Sequence, residues 1–184
     1  MLPDSGYSEM ARLFYLCGPS GAGKNAVMAE ACRLDPALRC ARRSITRPSD
    51  PSEAVETLST AEFADAVHDN AFLWWWTANG LSYGIRHHQC MGPGTVLING
   101  SRAYWPDAKS QTPDVRLILL TVDPDVLSER LIMRGRESGA AIEARLMRNH
   151  SVQTTALLED AWLVLDNTHA LSDVAQTLVR ALRC

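Results

Sequence analysis

The sequence predicts an α/β fold in which helices cover both faces of a central parallel β-sheet. Short apolar runs of strand length alternate with segments of helical pattern, and this alternation is typical of parallel strands joined by helices. A glycine-rich loop lies between the first predicted strand and the first predicted helix, as in α/β folds that bind anions at the carboxyl edge of the sheet. With 184 residues, 46% of them hydrophobic, the chain can bury one substantial core, and we expect a single domain over residues 1–184.

Four strand–helix pairs make up the predicted sheet and its cover. In each pair a short apolar run is followed by a longer segment with helical periodicity. The pairs are residues 13–17 with 24–34, 95–98 with 102–110, 115–122 with 124–134, and 162–165 with 169–183. Because the strands are parallel, we expect ligands to bind where they end.

A region of different pattern interrupts this alternation from about residue 44 to residue 89. Within it, Ser59 and Glu62 have the spacing of a capping box and predict the start of a short helix. Further along, residues 72–77 and 81–85 are separated by a turn at 78–80 and predict an antiparallel hairpin. We interpret the whole region as an insertion that binds a second substrate.

Three successive tryptophans lie on the first strand of this hairpin. Side chains alternate between the two faces of a strand, so Trp74 and Trp76 share one face while Trp75 lies on the other. We expect at least two of these indoles to pack the insertion against the central sheet.

The glycine-rich loop has the composition and position of a phosphate-binding loop, which predicts a P-loop kinase fold. Glycines allow successive backbone N–H groups to turn toward one anion, and the following helix adds its positive end. A lysine at the start of that helix supplies a full charge for the outer phosphates, and we expect it to be catalytic. The residues expected to bind ATP here are Gly18, Pro19, Ser20, Gly21, Ala22, Gly23, Lys24 and Asn25.

Asn25 departs from the usual pattern of such loops, because Ser or Thr at this position would place a hydroxyl on Mg²⁺. We therefore expect ATP and Mg²⁺ as cofactors but assign no protein ligand to the metal. The ion would be held mainly by the phosphates and water.

Arginines are concentrated in a segment that follows the third strand–helix pair. A solvated helical face could explain any one of them. Together with the nearby glycines, however, they predict a lid at about residues 135–141 that closes over the transferring phosphates and neutralises developing charge. The arginines expected to take part in catalysis are Arg134, Arg136 and Arg145.

A further cluster at residues 42–47 follows the predicted second strand and includes Arg43 and Arg47. Guanidinium groups bind phosphates in bidentate fashion, so this cluster predicts a clamp for an anionic acceptor. No paired-carboxylate or Ser-His-Asp pattern stands out in the sequence. An acceptor that is itself a phosphate arrives ionised, and positioning with charge neutralisation can then replace a general base.

The composition restricts the possible partners. A net charge of −3 argues against a general nucleic-acid-binding surface. The longest apolar runs have strand length and no secretory signal pattern begins the chain, so we expect a cytoplasmic protein without a membrane partner. The five cysteines lack the spacing of a metal knuckle or redox pair, and we expect buried thiols.

Four stretches together resemble the guanylate kinase family over nearly the whole chain, namely residues 18–24, 46–48, 72–84 and 134–137. Three positions depart from that family. Trp74 stands where guanylate kinases carry the carboxylate that reads guanine, Asp50 replaces a clamp arginine, and Ser82 replaces a tyrosine. These departures make GMP a poor candidate for the acceptor.

The chain is more similar to the ribose 1,5-bisphosphate phosphokinases of bacterial phosphonate metabolism. The stretches that carry this similarity are residues 45–48, 76–84, 99–103, 134–137 and 143–146. That family phosphorylates the 1-phosphate of its sugar substrate with ATP and forms 5-phosphoribosyl 1-diphosphate.

The similarity assigns roles to particular residues. Asp166 and Asn167 would border the adenine of ATP. The sugar phosphate would be bound by Arg43, Arg47, Trp76, Tyr83, Asn99, Ser101 and Arg102.

Two alternatives remain open from the residues alone. Another kinase of the same fold could act on a nucleoside monophosphate or a sugar hydroxyl, but a hydroxyl needs a base, and the candidate position holds Asn99. A non-catalytic binding module of guanylate-kinase-like fold is the second alternative. Such a module has no need for Lys24 together with Arg134 and Arg136.

Overall fold

A five-stranded parallel sheet forms the centre of the structure, a computed structural model that describes residues 10–47, 55–133 and 154–183. The strands within these ranges are β1 (Arg12–Cys17), β2 (Leu38–Cys40), β3 (Arg43–Ile45), β4 (Val55–Thr57), β5 (Phe72–Ala78), β6 (Leu81–Arg86), β7 (Thr95–Asn99), β8 (Arg116–Thr121) and β9 (Ala161–Asp166). The central sheet has the order β2-β7-β1-β8-β9, and all its neighbouring strands are parallel. The strand β1, which precedes the glycine-rich loop, therefore lies in the middle.

Helices cover both faces of this sheet, as the sequence predicts. The helices are α1 (Lys24–Leu34), α2 (Thr60–His68), α3 (Trp105–Gln111), α4 (Pro124–Met133), α5 (Thr154–Asp160) and α6 (Leu171–Arg183). On one face, Val27 of α1 and Leu178 of α6 share a buried cluster with Phe14 and Leu16 of β1. On the other face, α3 and α5 pack against the sheet. None of the described helices is long and apolar enough to cross a membrane.

The region that interrupts the alternation forms a second sheet with the order β4-β3-β6-β5. Its hairpin matches the prediction, because Asn79 and Gly80 both adopt positive φ angles, 52° and 74°, between β5 and β6. The capping box also forms: the Ser59 hydroxyl accepts from the backbone N–H of Glu62, whose carboxylate accepts from the backbone N–H of Ser59.

The alternation of the three tryptophans is confirmed. Trp74 and Trp76 are buried, whereas Trp75 is 45% exposed. Trp74 and Trp76 belong to the apolar cluster between the second sheet and the central sheet. Apolar packing therefore joins the insertion to the central sheet.

The strands β3 and β4 were not predicted, because three residues are too few to show an alternating pattern. They are defined by pairing with each other and, for β3, with β6. A partly buried polar network supports them: Glu56 accepts hydrogen bonds from the Ser44 hydroxyl and from Arg86, whose Nε lies 2.7 Å from the carboxylate. The hydrogen bond from Arg86 is the main reason that the pKa of Glu56 is lowered.

The helix predicted to start at residue 102 begins at Trp105 instead. Pro106 lies in its first turn, where a missing backbone N–H costs nothing. The preceding residues 100–104 form a connection that extends the carboxyl edge of the sheet.

The expectation that the cysteines are unpaired thiols is wrong for two of them. Cys32 of α1 and Cys40 of β2 are joined by a disulfide, because the turn between these elements returns the chain toward the helix. Cys17 and Cys90 are free and buried, as expected.

Tyr15 of β1 forms a close contact with the chain that leaves β7. Its hydroxyl donates to the carbonyl oxygen of Ser101 at 2.8 Å, and a β-carbon added at Gly100 would overlap its ring. The ring also contacts Trp74 and Trp105, with centroid distances of 5.6 and 5.4 Å. Glycine is therefore required at position 100 for packing.

We expect Gly100→Ala to lower the free energy of unfolding by about 1–3 kcal/mol, because the added methyl group must displace the fully buried Tyr15 ring. Urea denaturation measures this change. Ala103→Ser, at an exposed position of the same connection, is the control and should change the free energy of unfolding by less than about 0.5 kcal/mol. Equal stability of Gly100→Ala and wild type would contradict the packing role.

Candidate active site

Hydrogen bonds hold several connections together at the carboxyl edge of the central sheet. The backbone N–H of Gly100, after β7, donates to the carbonyl of Leu16 in β1 at 3.0 Å. The backbone N–H of Asn167, after β9, donates to the carbonyl of Thr121 in β8 at 2.9 Å. The residues that follow β1, β7 and β9 are thereby fixed around one crevice.

Two glycines of the glycine-rich loop are required both for their backbone conformation and because neighbouring side chains leave no space for a β-carbon. Gly21 and Gly23 have φ angles of 93° and 87°, which other residues rarely adopt. A β-carbon at Gly21 would lie 2.8 Å from the side chain of Leu131 in α4, and one at Gly23 would lie 2.6 Å from the amide of Asn167. The loop is therefore held in a fixed conformation by its neighbours.

Lys24 lies at the first position of α1 and directs its ammonium back into this loop. The ammonium donates to the carbonyl oxygens of Gly18 and Pro19 at 2.9 and 2.8 Å. Together with the positive end of α1, it gives the loop the character of an anion-binding site.

Cys17, the last residue before the loop, has no nucleophilic role here. Burial raises the pKa of its thiol to about 12, and this effect outweighs the opposing influence of Lys24 and Arg102. The thiol therefore stays protonated near neutral pH.

Asn25 and Asn99 connect the phosphate loop to the end of β7. The Nδ2 group of Asn99 donates to Oδ1 of Asn25 at 2.5 Å. The two side chains form an uncharged amide pair between the first turn of α1 and the end of β7.

The insertion contributes a cavity beside this amide pair. Its volume is about 250 Å³, and its lining includes Asn25, Asn99, Arg42, Arg43 and Val55. The lining also includes Met28, Ala29 and Cys32, so the cavity extends along α1, with Arg42 and Arg43 on the side of the second sheet.

Aromatic rings form a stack next to Arg43. The ring of Trp76 stacks on Tyr83 and Tyr104 with centroid distances of 5.5 and 5.2 Å. The Arg43 guanidinium lies 5.7 Å from the centroid of the Tyr83 ring, within the range of a cation–π interaction. The stack connects the insertion with the connection after β7, to which Tyr104 belongs.

The other predicted acceptor residues have more varied surroundings. Arg102 is half-buried, and burial lowers the pKa of its guanidinium. Ser101 uses its carbonyl oxygen to hold Tyr15. Arg47 is half-buried two residues beyond β3, where reciprocal hydrogen bonds between Thr46 and Ser82 fix the chain.

The two residues predicted to border adenine differ in exposure. Asn167 is 3% exposed, and its Nδ2 group donates to the carbonyl of Ala22 at 2.7 Å, so its side chain braces the phosphate loop. Asp166 is exposed, and hydrogen bonds from Thr168 hold the pKa of its carboxyl below the ordinary value.

Several predicted residues lie outside the described part of the chain. They are the catalytic candidates Arg134, Arg136 and Arg145, the lid at about residues 135–141, and the clamp position Asp50. Among the described residues, no group of His, Cys, Asp or Glu side chains could hold a metal ion.

Sequence reasoning missed two features of the site. Tyr104 joins the aromatic stack, and its position directly after the 99–103 motif was the available signal. The hydrogen bond between Asn25 and Asn99 had no signal, because the two residues are 74 positions apart.

The comparison with curated proteins identifies relatives that span the chain. Ribose 1,5-bisphosphate phosphokinase PhnN of Pseudomonas paraeruginosa is 42% identical over 175 residues, which cover 91% of this chain and 93% of that protein. The protein of the same name from Pseudomonas fluorescens is 42% identical and covers 94% of both chains. The one from Burkholderia pseudomallei is 36% identical and covers 93% of this chain and 95% of its own. No family model matches the chain.

Solved structures confirm the fold. Guanylate kinase from Anaplasma phagocytophilum superposes with a TM-score of 0.66 at 14% identity, covering 96% of this chain and 86% of that protein. Shikimate kinase from Bacteroides thetaiotaomicron has a TM-score of 0.52 at 12% identity and covers 94% and 99%. At such identities the likeness shows the fold alone.

The resemblance to ribose 1,5-bisphosphate phosphokinases is thus confirmed by the relatives, and the resemblance to guanylate kinases is confirmed at the level of the fold. Relatives that are 42% identical over more than nine-tenths of both chains establish that this chain belongs to the ribose 1,5-bisphosphate phosphokinase family, on a fold shared with guanylate kinase.

Proposed function

We propose that this protein transfers the terminal phosphoryl group of ATP to the 1-phosphate of ribose 1,5-bisphosphate and forms 5-phosphoribosyl 1-diphosphate and ADP. The observation that carries this proposal is the 36–42% identity with relatives named for that reaction over most of both chains. The geometry supports the same class of reaction, because the glycine-rich loop meets, at Asn25 and Asn99, a cavity whose lining includes Arg42 and Arg43.

The loop at residues 18–25 fits the phosphates of ATP. Gly21 and Gly23 provide the positive φ angles that direct backbone N–H groups toward one anion. Lys24 already carries its charge inside the loop, where it can neutralise phosphate oxygens. When bound, ATP supplies the phosphoryl group that is transferred.

The acceptor binds, in this proposal, between the amide pair and the insertion. Arg43, Arg47 and Arg102 bring positive charge for the two phosphates of the sugar. Trp76 and Tyr83 form the aromatic wall behind Arg43. Ser101 belongs to the same connection as Arg102 and completes the predicted set.

This arrangement suits an acceptor that needs no deprotonation. Asn99 is an amide, so it can neither abstract a proton nor repel an anionic substrate. A phosphate acceptor is ionised near neutral pH, and transfer then depends on alignment and charge neutralisation. Arg134, Arg136 and Arg145 remain predicted contributors to that neutralisation.

In the same proposal, the adenine of ATP lies next to Asp166 and Asn167. Because the Asn167 side chain donates to the carbonyl of Ala22 and its backbone N–H donates to the carbonyl of Thr121, the exposed Asp166 is the group that we propose for contact with the base.

Mg²⁺ accompanies ATP in this proposal, but the described residues do not offer the ion a ligand set. The Oδ1 atom of Asn25, which stands at the usual hydroxyl position, already accepts a hydrogen bond from Asn99. We therefore propose that the phosphates and water hold the ion.

Lys24→Met is expected to reduce kcat by roughly 100-fold or more, because the ammonium neutralises charge on the transferring phosphoryl group. A coupled assay of ADP formation measures kcat, and thermal unfolding checks that the fold is retained. Lys109, the other lysine of the chain, also donates to two backbone carbonyls but lies at the opposite edge of the sheet. Lys109→Met is therefore the matched control, with kcat near wild type. A Lys24→Met variant within a few-fold of wild type would refute the assigned role.

GMP should be a negligible substrate, because a fully buried indole at Trp74 replaces the guanine-reading carboxylate. A pocket that lacks a hydrogen-bonding partner can discriminate by roughly 10⁴-fold in kcat/KM. ADP formation should be compared with GMP and with ribose 1,5-bisphosphate at equal concentrations. Comparable rates with the two acceptors would overturn the proposed specificity.

Because Asn25 is not a metal ligand in this proposal, Asn25→Ala should leave the half-saturating Mg²⁺ concentration within about threefold of wild type. Asn25→Thr should leave this concentration unchanged within the same range or lower it. A Mg²⁺ titration at fixed ATP gives this value for each protein. A much higher Mg²⁺ requirement in Asn25→Ala would show instead that the amide oxygen binds the ion.

A further inference from the structure

The side-chain amide of Asn99 is buried, and one end of it lacks a partner. The residue is 6% exposed, and its Nδ2 group donates to Asn25. Its Oδ1 atom has no hydrogen-bond partner among the residues that the structure describes. A buried carbonyl oxygen without a donor is unfavourable, so such an atom in a cavity wall indicates a ligand that supplies one.

The two arginines that line the cavity, Arg42 and Arg43, interact with groups other than Oδ1 of Asn99. Arg42 donates through Nη2 to the carbonyl of Val55, and Arg43 lies against the ring of Tyr83. The phosphate groups of a sugar bisphosphate cannot supply the missing donor either, because ionised phosphate oxygens only accept. The remaining donors on such a substrate are its ring hydroxyls.

We propose that Oδ1 of Asn99 accepts a hydrogen bond from a ring hydroxyl of the sugar acceptor, and that Asn25 is the positioning residue for this contact. The inference rests on the proposed function. It assigns Asn99 a role in specificity: recognition of a hydroxylated sugar ring rather than of a phosphate.

The role of Asn25 follows from the chemistry of the amide. The two ends of the Asn99 side chain differ, since Nδ2 donates and Oδ1 accepts. Asn25 presents its carbonyl oxygen, which can only accept, and so it takes the Nδ2 end. The Oδ1 end is thereby turned away from Asn25 and left for the ligand.

The test compares ribose 1,5-bisphosphate with its 2-deoxy and 3-deoxy analogues and uses the ratio of kcat/KM values as the readout. Wild type should prefer the hydroxylated substrate over one of the analogues by about 10- to 100-fold, the range expected for a buried hydrogen bond. In Asn99→Leu, which has similar size but no acceptor, this ratio should fall to about one.

Asn99→Asp tests which end of the amide faces the substrate. Aspartate keeps an acceptor oxygen but has no donor, so overall activity should fall through charge repulsion while the preference for the hydroxyl persists. Asn25→Ala removes the group that orients the Asn99 amide but leaves Oδ1 of Asn99 in place. This variant should therefore give an intermediate ratio. The matched control is Thr95→Val at the other end of β7, where a buried hydroxyl accepts from Arg12. It should lower stability and leave the ratio unchanged.

Each result decides the proposal. An unchanged ratio in Asn99→Leu, or loss of the preference in Asn99→Asp, would overturn the assignment of Oδ1 to a sugar hydroxyl. A raised Mg²⁺ requirement in Asn99→Leu with an unchanged ratio would also overturn it and would identify metal-bound water as the donor. Wild-type protein that turns over none of the three sugars would instead refute the proposed function itself.

Discussion

The contact between Tyr15 and the chain at Gly100 is the constraint on which the rest of the structure depends. Tyr15 is fully buried in the middle strand of the central sheet, and its hydroxyl holds the carbonyl of Ser101. Its ring also contacts Trp74 of the insertion and Trp105 of α3. One side chain therefore joins the central sheet, the second sheet and the connection that carries Asn99 and Arg102. The absence of a side chain at position 100 is what permits this approach.

Charge at the site is arranged for reacting groups that are both anionic. Lys24 lies in the loop, and Arg43 lines the facing cavity. Between them stands the uncharged pair of Asn25 and Asn99. A carboxylate at either position would add negative charge where two phosphates must approach, and an amide avoids that repulsion while still providing hydrogen bonds. The identity of these two residues is consistent with a phosphate acceptor.

In the proposed function, the insertion offers no carboxylate for guanine at position 74. A tryptophan at position 74 packs fully into the core between the two sheets, so this position presents apolar surface to Tyr15 instead of a carboxylate to a ligand. Trp76 extends the same face toward Tyr83 and Tyr104. Aromatic packing thus connects the insertion to the connection that follows β7.

The sequence by itself determined the parallel sheet, the helices on both of its faces, the hairpin at Asn79-Gly80, the capping box at Ser59 and the glycine-rich loop between β1 and α1. Each of these depends on periodicity or local backbone preference, which neighbouring residues encode. Family motifs in the sequence also determined the class of relatives. Only the tertiary structure decided that Cys32 meets Cys40, that β3 and β4 pair, that Asn167 braces the loop and that Asn25 binds Asn99. Contacts of this kind join distant positions or depend on partners elsewhere in the fold, and no local pattern specifies them because they exist only after the strands have come together.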